Sequence, residues 1–406
     1  MTSPYPARTS ARTNLVLATL FLSMFVLGSA ELLVVGVLDL MATDLRVSIA
    51  TAGGLVTAFA VGVAIGGPLL TALTIRIDRR TVLAAALALF LACTVVAVLT
   101  DQFWLVVAVR AVTGALHGLF IAAAFATAVA AVSPDRVGRA ISIVVSGVAV
   151  SAAVGVPLGT LLGQAVGWRG AFVAVVVAAV LALIGTLALV PATASAGGGA
   201  TNQARHAFAP RVLAVLLLCA LAFASHFAAL TYIVPFLGAV TGISGAPVSA
   251  FLLAYGVATA LGSILGGRLA DRSATRTLPV AAAGAAVALL ALYLLGTIAA
   301  LTVLALLIWG AFAWSMAPSL QYRVVTLAGP GGQLAQSLPA SAINIGIAVG
   351  SLAGGAAIHQ YGATGPVLTG LGIALVAIPI AWATGALRPP RTASAEPVTE
   401  GSELRR

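Results

Sequence analysis

The chain contains no lysine; all twenty of its basic residues are arginine. That absence removes two chemistries. A phosphate-binding loop of the Walker A type needs its lysine to reach the β/γ-phosphates, so an ATP-driven pump of that kind is excluded. A lysine Schiff base to retinal is excluded with it. Cysteine is nearly as scarce. Cys93 and Cys219 stand singly inside apolar runs, without metal-ligand spacing, and read as buried packing residues. No grouping suggests a metal site, a cofactor or an enzyme's catalytic set. Charge is the third shortage: charged residues are 7% of the chain, against about a quarter in ordinary soluble domains.

What fills the chain instead is hydrophobic, 61% of 406 residues, so its solvent must be hydrocarbon. The net charge of +10 comes from arginines scattered one to three at a time between apolar runs. Such scatter anchors loops at a membrane surface and does not make a nucleic-acid stripe. Abundant Ala, Gly and Val with no Lys fits a high-GC bacterial genome, which points to a bacterial inner membrane.

A spanning helix needs about 20 mostly apolar residues. Twelve such runs are present: 15–38, 50–74, 81–100, 103–130, 138–163, 169–191, 211–237, 247–270, 278–299, 301–326, 335–359 and 364–386. The expected fold is all-α, with twelve transmembrane helices in two six-helix bundles. The first run is too long for a signal peptide and holds Glu31, so it reads as a retained span. With a cytoplasmic N-terminus, seventeen arginines fall inside and only Arg46 and Arg169 outside, with Arg110 in a span. Both termini are then cytoplasmic. The expected units are a first bundle over 1–191, a cytoplasmic linker over 192–210 with its Gly197-Gly198-Gly199 run, a second bundle over 211–387 and a disordered tail over 388–406.

The halves are related. A shift of 196 places Ser48, Ala58, Phe59, Val61, Ala64, Gly66 and Arg76 over Ser244, Ala254, Tyr255, Val257, Ala260, Gly262 and Arg272. A shift of 195 places Ala140, Ser142, Val154, Gly155, Gly159 and Gly167 over Ala335, Ser337, Val349, Gly350, Gly354 and Gly362. Six spans is an even number, so the copies share one topology and a substrate belongs between them, near the midplane.

Several segments resemble the major facilitator superfamily. Gly267-Arg268-Leu269-Ala270-Asp271-Arg272 is similar to its loop signature after the second helix of a half. The first-half counterpart, Thr71 to Arg80 with Arg79 and Arg80, departs from it: Ile75 stands in place of the acid and Asp78 in place of a glycine. Arg110, Gly114 and Gly118 resemble the arginine motif of span four, and Gly155-Val156-Pro157-Leu158-Gly159 the antiporter motif of span five. Gly167-Trp168-Arg169 resembles the drug-exporter branch. Glu31 with Gly36, Asp44-Leu45 and 155–160 is similar to the arabinose-efflux and chloramphenicol-exporter-like subgroup of drug/proton antiporters. The resemblance implies the helix arrangement and export of a small molecule in exchange for protons, by a protein that works as a monomer.

Ionisable groups inside a membrane are costly and usually functional. Glu31 sits roughly 12 Å below the outer end of span one and Arg110 roughly 10 Å into span four, so they share a depth. The expectation is that they pair, either as a proton-coupling site or as a permanent structural ion pair. Asp39, two turns beyond Glu31, is a second acid that either takes part in transport or faces water. His117 follows Arg110 by seven residues and so lies on nearly the same face; it either takes a proton or packs. His226, mid-depth in span seven, pairs with Ala30, next to Glu31, under the 196 shift and is a further candidate for proton coupling. For substrate contact the candidates are Trp309, Trp314, Gln321 and Tyr322 on span ten, Asn344 on span eleven and Tyr255 on span eight. Tyr255 and Trp309 read equally well as lipid-facing. Gly155, Gly159 and Gly163 have small-xxx-small spacing for close helix packing, and Pro157 should kink that helix. Two other functions are open: efflux of a sugar or purine nucleoside, which needs more amides and carboxylates, and a membrane scaffold or sensor without transport.

Overall fold

The computed structural model describes residues 10–133, 136–192, 208–329, 335 and 338–389. The expected tail over 388–406 and most of the expected linker over 192–210 lie outside them. The described residues form nine helical segments long and apolar enough to cross a membrane, and three of these fold back on themselves once, giving twelve spans. In order they are α1 (Ser10–Gly36), α2 (Ile49–Leu73), α3 (Arg79–Leu99), α4 (Phe103–Ala130), α5 (137–166), α6 (168–189), α7 (Pro210–Leu230, extended by turns to Thr241), α8 (247–272), α9 (274–295), α10 (Ala299–Ala328), α11 (Leu338–Tyr361) and α12 (Gly365–Gly385). They match the apolar runs of the sequence to within a few residues.

Local chemistry sets the ends. Ser48 caps α2 by accepting from the Thr51 amide at 3.0 Å, and Asp78 caps α3 by accepting from the Thr81 amide at 3.0 Å. The fold-backs after α5 and α11 pass through Gly167 (φ 80°) and Gly362 (φ 70°), a left-handed conformation that favours glycine. Between α8 and α9 the break falls at Ser273. Of three π-helical segments among the described residues, two, Gly62–Gly66 and Ser151–Gly155, lie just ahead of Pro68 and Pro157, and the third is Leu237–Thr241. A proline removes one backbone donor and crowds the carbonyl four residues earlier, and a π turn accommodates that defect.

The twofold relation is visible in contacts. A methyl group on Gly155 would lie 2.2 Å from Ser29 Oγ, and one on Gly350 2.2 Å from the Ala224 carbonyl. Gly159 meets Leu33 as Gly354 meets Ala228. Each pair of partners is separated by 195 residues, so α1 packs on α5 as α7 packs on α11. The 196 shift relates Gly66 against Ala115 to Gly262 against Ala311, and Gly114 against Phe59 to Gly310 against Tyr255. The same device holds α2 to α4 and α8 to α10: glycines let backbones approach where a side chain would hold them apart.

The bundles touch through α2 with α11 and α5 with α8. One tight contact lies toward the end of the molecule that holds the Gly167 and Gly362 turns. There the Tyr232 hydroxyl, donated to the Ser351 carbonyl at 2.9 Å, lies so near Gly53 of α2 that a methyl group would come within 1.9 Å of it. Midway along the helices, a methyl group on Gly256 of α8 would lie 2.3 Å from the Ala152 carbonyl of α5.

Candidate functional site

Arg110 is buried in the first bundle, and its guanidinium is held by backbone. It donates to the carbonyls of Ala30 (3.1 Å), Glu31 (3.3 Å) and Leu55 (3.3 Å), and its carbon lies 4.3 Å from the centre of the Phe59 ring. The shared depth of Glu31 and Arg110 is therefore real, but the expected pairing is not: Arg110 bonds the main chain of Glu31, not its carboxylate. The carboxylate instead faces His117, with Oε2 3.4 Å from Nδ1. The His117 ring is buried, stands 5.7 Å from Phe59, and neither nitrogen completes a hydrogen bond. One turn of α1, two turns of α4 and one ring from α2 thus bring an acid, a guanidinium and an imidazole together.

The second bundle has His226 at the matching place. Its Nε2 and the Tyr255 hydroxyl are hydrogen-bonded at 2.5 Å, while Nδ1 is unpartnered. The ring stacks on Tyr255 and lies 4.7 Å from Trp309, with Phe223, Phe227 and Trp314 edge-on around it. Phe59 and Tyr255 are partners under the 196 shift, and each covers the buried basic group of its own half. Sequence reasoning paired the two rings and drew nothing from it; Phe59 is the residue it missed.

Between the bundles is a narrow apolar cleft, part of it open to the surroundings. Leu32 and Val35 of α1 and Ala152 and Val156 of α5 form one wall. Leu230, Leu252, Tyr255 and Trp314 form the other. Of the residues expected to touch substrate, Tyr255 and Trp314 are therefore on the cleft. Trp309 is fully buried behind His226, which also removes the lipid-facing reading for it and for Tyr255. Gln321 and Tyr322 are exposed and away from the lining. Asn344 is buried, but its Nδ2 donates to the Ala340 carbonyl of its own helix at 3.0 Å. Asp39 is partly buried in the short helix Leu38–Asp44 beyond α1, with Oδ1 unpartnered.

The motif residues divide in the same way. Arg79 donates to the Ala126 carbonyl at 2.6 Å and Arg80 to the Leu187 carbonyl, so both satisfy the C-terminal turns of α4 and α6. Asp271 and Arg272 are exposed, and no latch engages them among the described residues; a methyl on Gly267 would meet open space. Pro157 and Gly159 lie on the α1-facing stretch of α5 beside Gly155. At the Gly167 turn, Trp168 donates to Asp44 at 2.9 Å, and Arg169 pairs with Asp44 and with Asp101 at 2.6 Å. Burial raises the Asp44 carboxyl, but Trp168 and Arg169 outweigh it and hold the group below the usual carboxylate range.

Residues 20–337 match the sequence profile described as Major Facilitator Superfamily. The chain belongs to that superfamily. It is a multi-pass membrane protein, a secondary transporter of a small molecule and not an enzyme. Among its relatives, the chloramphenicol resistance protein of Streptomyces lividans is 33% identical over 91% of this chain and 95% of its own. The inner membrane transport protein YdhP of Escherichia coli is 31% identical over 90% of this chain and 96% of its own. The fold also matches the inward-facing, unoccupied crystal structure of a bacterial homolog of the human lysosomal transporter Spinster. The TM-score is 0.78 at 16% identity, covering 93% of this chain and 98% of that one.

Proposed function

We propose that this transporter exports a small amphipathic compound in exchange for protons, with Glu31 as the proton carrier and the inter-bundle cleft as the substrate site. The observation that carries this reading is the position of Glu31: its carboxylate faces His117, while its own carbonyl helps to hold Arg110. Because its hydrogen bonds go to three main-chain carbonyls, Arg110 loses none of them when Glu31 gains a proton; what changes is the charge that faces it. The next residue, Leu32, lines the cleft, so a cargo pressing on α1 and a proton on Glu31 act on one turn of helix. Each proton moving down the potential supplies about 2.3 kcal/mol per 100 mV, which sustains export without ATP.

The apolar cleft with two aromatic side chains suits an amphipathic cargo, and the chloramphenicol resistance named for the Streptomyces relative makes that drug a suitable probe. A sugar or nucleoside would need more amides and carboxylates than this lining offers. The arginine asymmetry supports cytoplasmic termini. The Tyr232–Gly53 contact then lies toward the outer end, in keeping with a conformation open to the cytoplasm, where an export cycle loads its cargo.

Inverted vesicles test the coupling. Glu31→Gln keeps the size and mimics the protonated acid; it should abolish chloramphenicol accumulation driven by an imposed pH gradient, yet permit exchange down the drug's own gradient. Gradient-driven uptake at the wild-type rate in Glu31→Gln would remove this residue from the coupling role.

A further inference from the structure

The first bundle contains two tightly joined helix pairs. Gly155 and Gly159 of α5 abut Ser29 and Leu33 of α1, and Gly62 and Gly114 press α2 and α4 together in the same way. Among the described residues, no glycine of one pair presses on the other pair. The cleft's first wall belongs wholly to the α1–α5 pair. Glu31 stands on that pair, whereas Arg110 and His117 stand on the other. Two links cross this boundary, and they differ. Arg110 donates to the carbonyls of Ala30 and Glu31, whose charge never changes, so that link is constant. The Glu31 side chain leans toward the N-terminal end of α1, as Cα–Cβ bonds do along a helix. It thereby reaches toward His117, with Oε2 3.4 Å from Nδ1. The His117 ring is 2% exposed, and neither of its nitrogens completes a hydrogen bond. The Arg110 guanidinium lies over the Phe59 ring that His117 also packs against, so a second cation there would face a like charge. A neutral imidazole carries one N–H, and a buried N–H without an acceptor is more damaging than an unused lone pair. The proton therefore belongs on Nδ1, facing the Glu31 oxygen. Such an N–H bonds a carboxylate more strongly, and over a shorter distance, than it bonds a carboxylic acid.

We propose that His117 is a positioning residue that turns the charge of Glu31 into a movement of the cleft wall. Arg110 is the fixed tie between the helix pairs and His117 the adjustable one. When Glu31 loses its proton, the charge-assisted bond closes and draws the N-terminal half of α1 toward α4, and the glycine seam carries α5 with it. When Glu31 gains a proton, the bond slackens and the α1–α5 pair swings back about Arg110. The proposal rests on Glu31 as the proton carrier and says how the proton's arrival reaches the residues that line the cleft.

Spin labels at Asn14→Cys and Ala130→Cys test this, since both positions are exposed and lie at the same end of the bundle, on α1 and α4. The full chain carries Cys93→Ala and Cys219→Ala and sits in lipid nanodiscs without cargo or gradient. The distance between labels should shorten by on the order of 1–2 Å from acidic to alkaline buffer, and Glu31→Gln should abolish the change. His117→Asn puts an amide N–H near the place of Nδ1 and should keep the change, whereas the apolar variants His117→Leu and His117→Phe should abolish it. A residue that only packs against Phe59 would give the opposite order, because Leu and Phe fill the space and Asn does not. A distance independent of pH in the otherwise wild-type chain, a change that survives in either apolar variant, or its loss in His117→Asn would overturn the proposal. Loss of the change in Glu31→Gln together with its survival in His117→Leu would sink His117 alone and spare Glu31 as the carrier. No cargo enters the measurement, so an error about the exported compound leaves the result standing.

Discussion

Gly155 and Gly350 occupy matching places in the two bundles, yet an added methyl group meets different obstacles. At Gly155 it falls 2.2 Å from the Ser29 hydroxyl oxygen, 3.1 Å from Ser29 Cβ and 3.4 Å from Phe25. At Gly350 it falls 2.2 Å from the Ala224 carbonyl oxygen and 2.8 Å from Ala224 Cα. The Ser29 hydroxyl is a buried atom without a hydrogen-bond partner, so it can rotate or be removed without breaking a bond. The Ala224 carbonyl belongs to the helix ladder and cannot move alone. Gly350→Ala must therefore part α7 and α11 by roughly 1 Å or more to reach ordinary contact distance. Overpacking of this kind costs about 1–3 kcal/mol, or roughly 2–12 °C in Tm for a bundle of this size. Gly155→Ala should cost distinctly less. Thermal unfolding of the purified variants in one detergent reads the difference, and two double variants sharpen it. Ser29→Ala should rescue most of the loss in Gly155→Ala, because it removes the obstructing atom. Ala224→Gly should not rescue Gly350→Ala, because the obstructing atom stays. If Gly350→Ala melts like wild type, or if Ala224→Gly rescues it, the backbone-contact reasoning is wrong.

At the Gly167 turn, the Asp44 carboxyl is held below its usual range by Trp168 and Arg169. Its stabilising contribution is therefore complete above the unfolded value of about 4 and is lost as pH falls through the lower folded value. The Tm difference between wild type and Asp44→Asn should be constant from pH 8 to pH 5 and shrink in stronger acid; a difference that grew on acidification would contradict that sign. For orientation, reporter fusions at Ser195 and at the C-terminus should report cytoplasm and one at Thr241 the outer side. A periplasmic C-terminus would reverse the topology and with it the direction in which the cleft opens.

Much of the fold was legible because lipid imposes a length: each apolar run became a helix. The offsets of 195 and 196 also told the truth, although the sequence could not reveal that what they preserve is a set of glycine-to-backbone contacts. The site was legible in outline and wrong in its bonds. Depth placed Glu31 beside Arg110, and the seven-residue spacing placed His117 on the same face, but helical position cannot say which acceptors a guanidinium will take. Three main-chain carbonyls won over the carboxylate. Gln321 was expected at the cargo on the ground that an amide in hydrocarbon needs a partner, and that reasoning ignores where along α10 the residue lies. Trp309 joins the aromatic cluster around His226 but stands one layer behind the surface that faces the cleft.

The duplicated glycine framework has contents that are not duplicated. Under the 195 shift that relates α1 to α7, Glu31 has His226 as its counterpart, and under the 196 shift that relates α4 to α10, Arg110 and His117 have Leu306 and Ala313. After an ancestral gene doubled, contacts between glycines and backbone carbonyls would have kept both copies in shape whatever happened to the side chains inside them. Each copy was then at liberty to drift, one toward ionisable groups and the other toward rings. The same liberty is open to recombination: a first bundle from one relative joined to a second from another should assemble, provided the glycines at the α2–α11 and α5–α8 seams are retained.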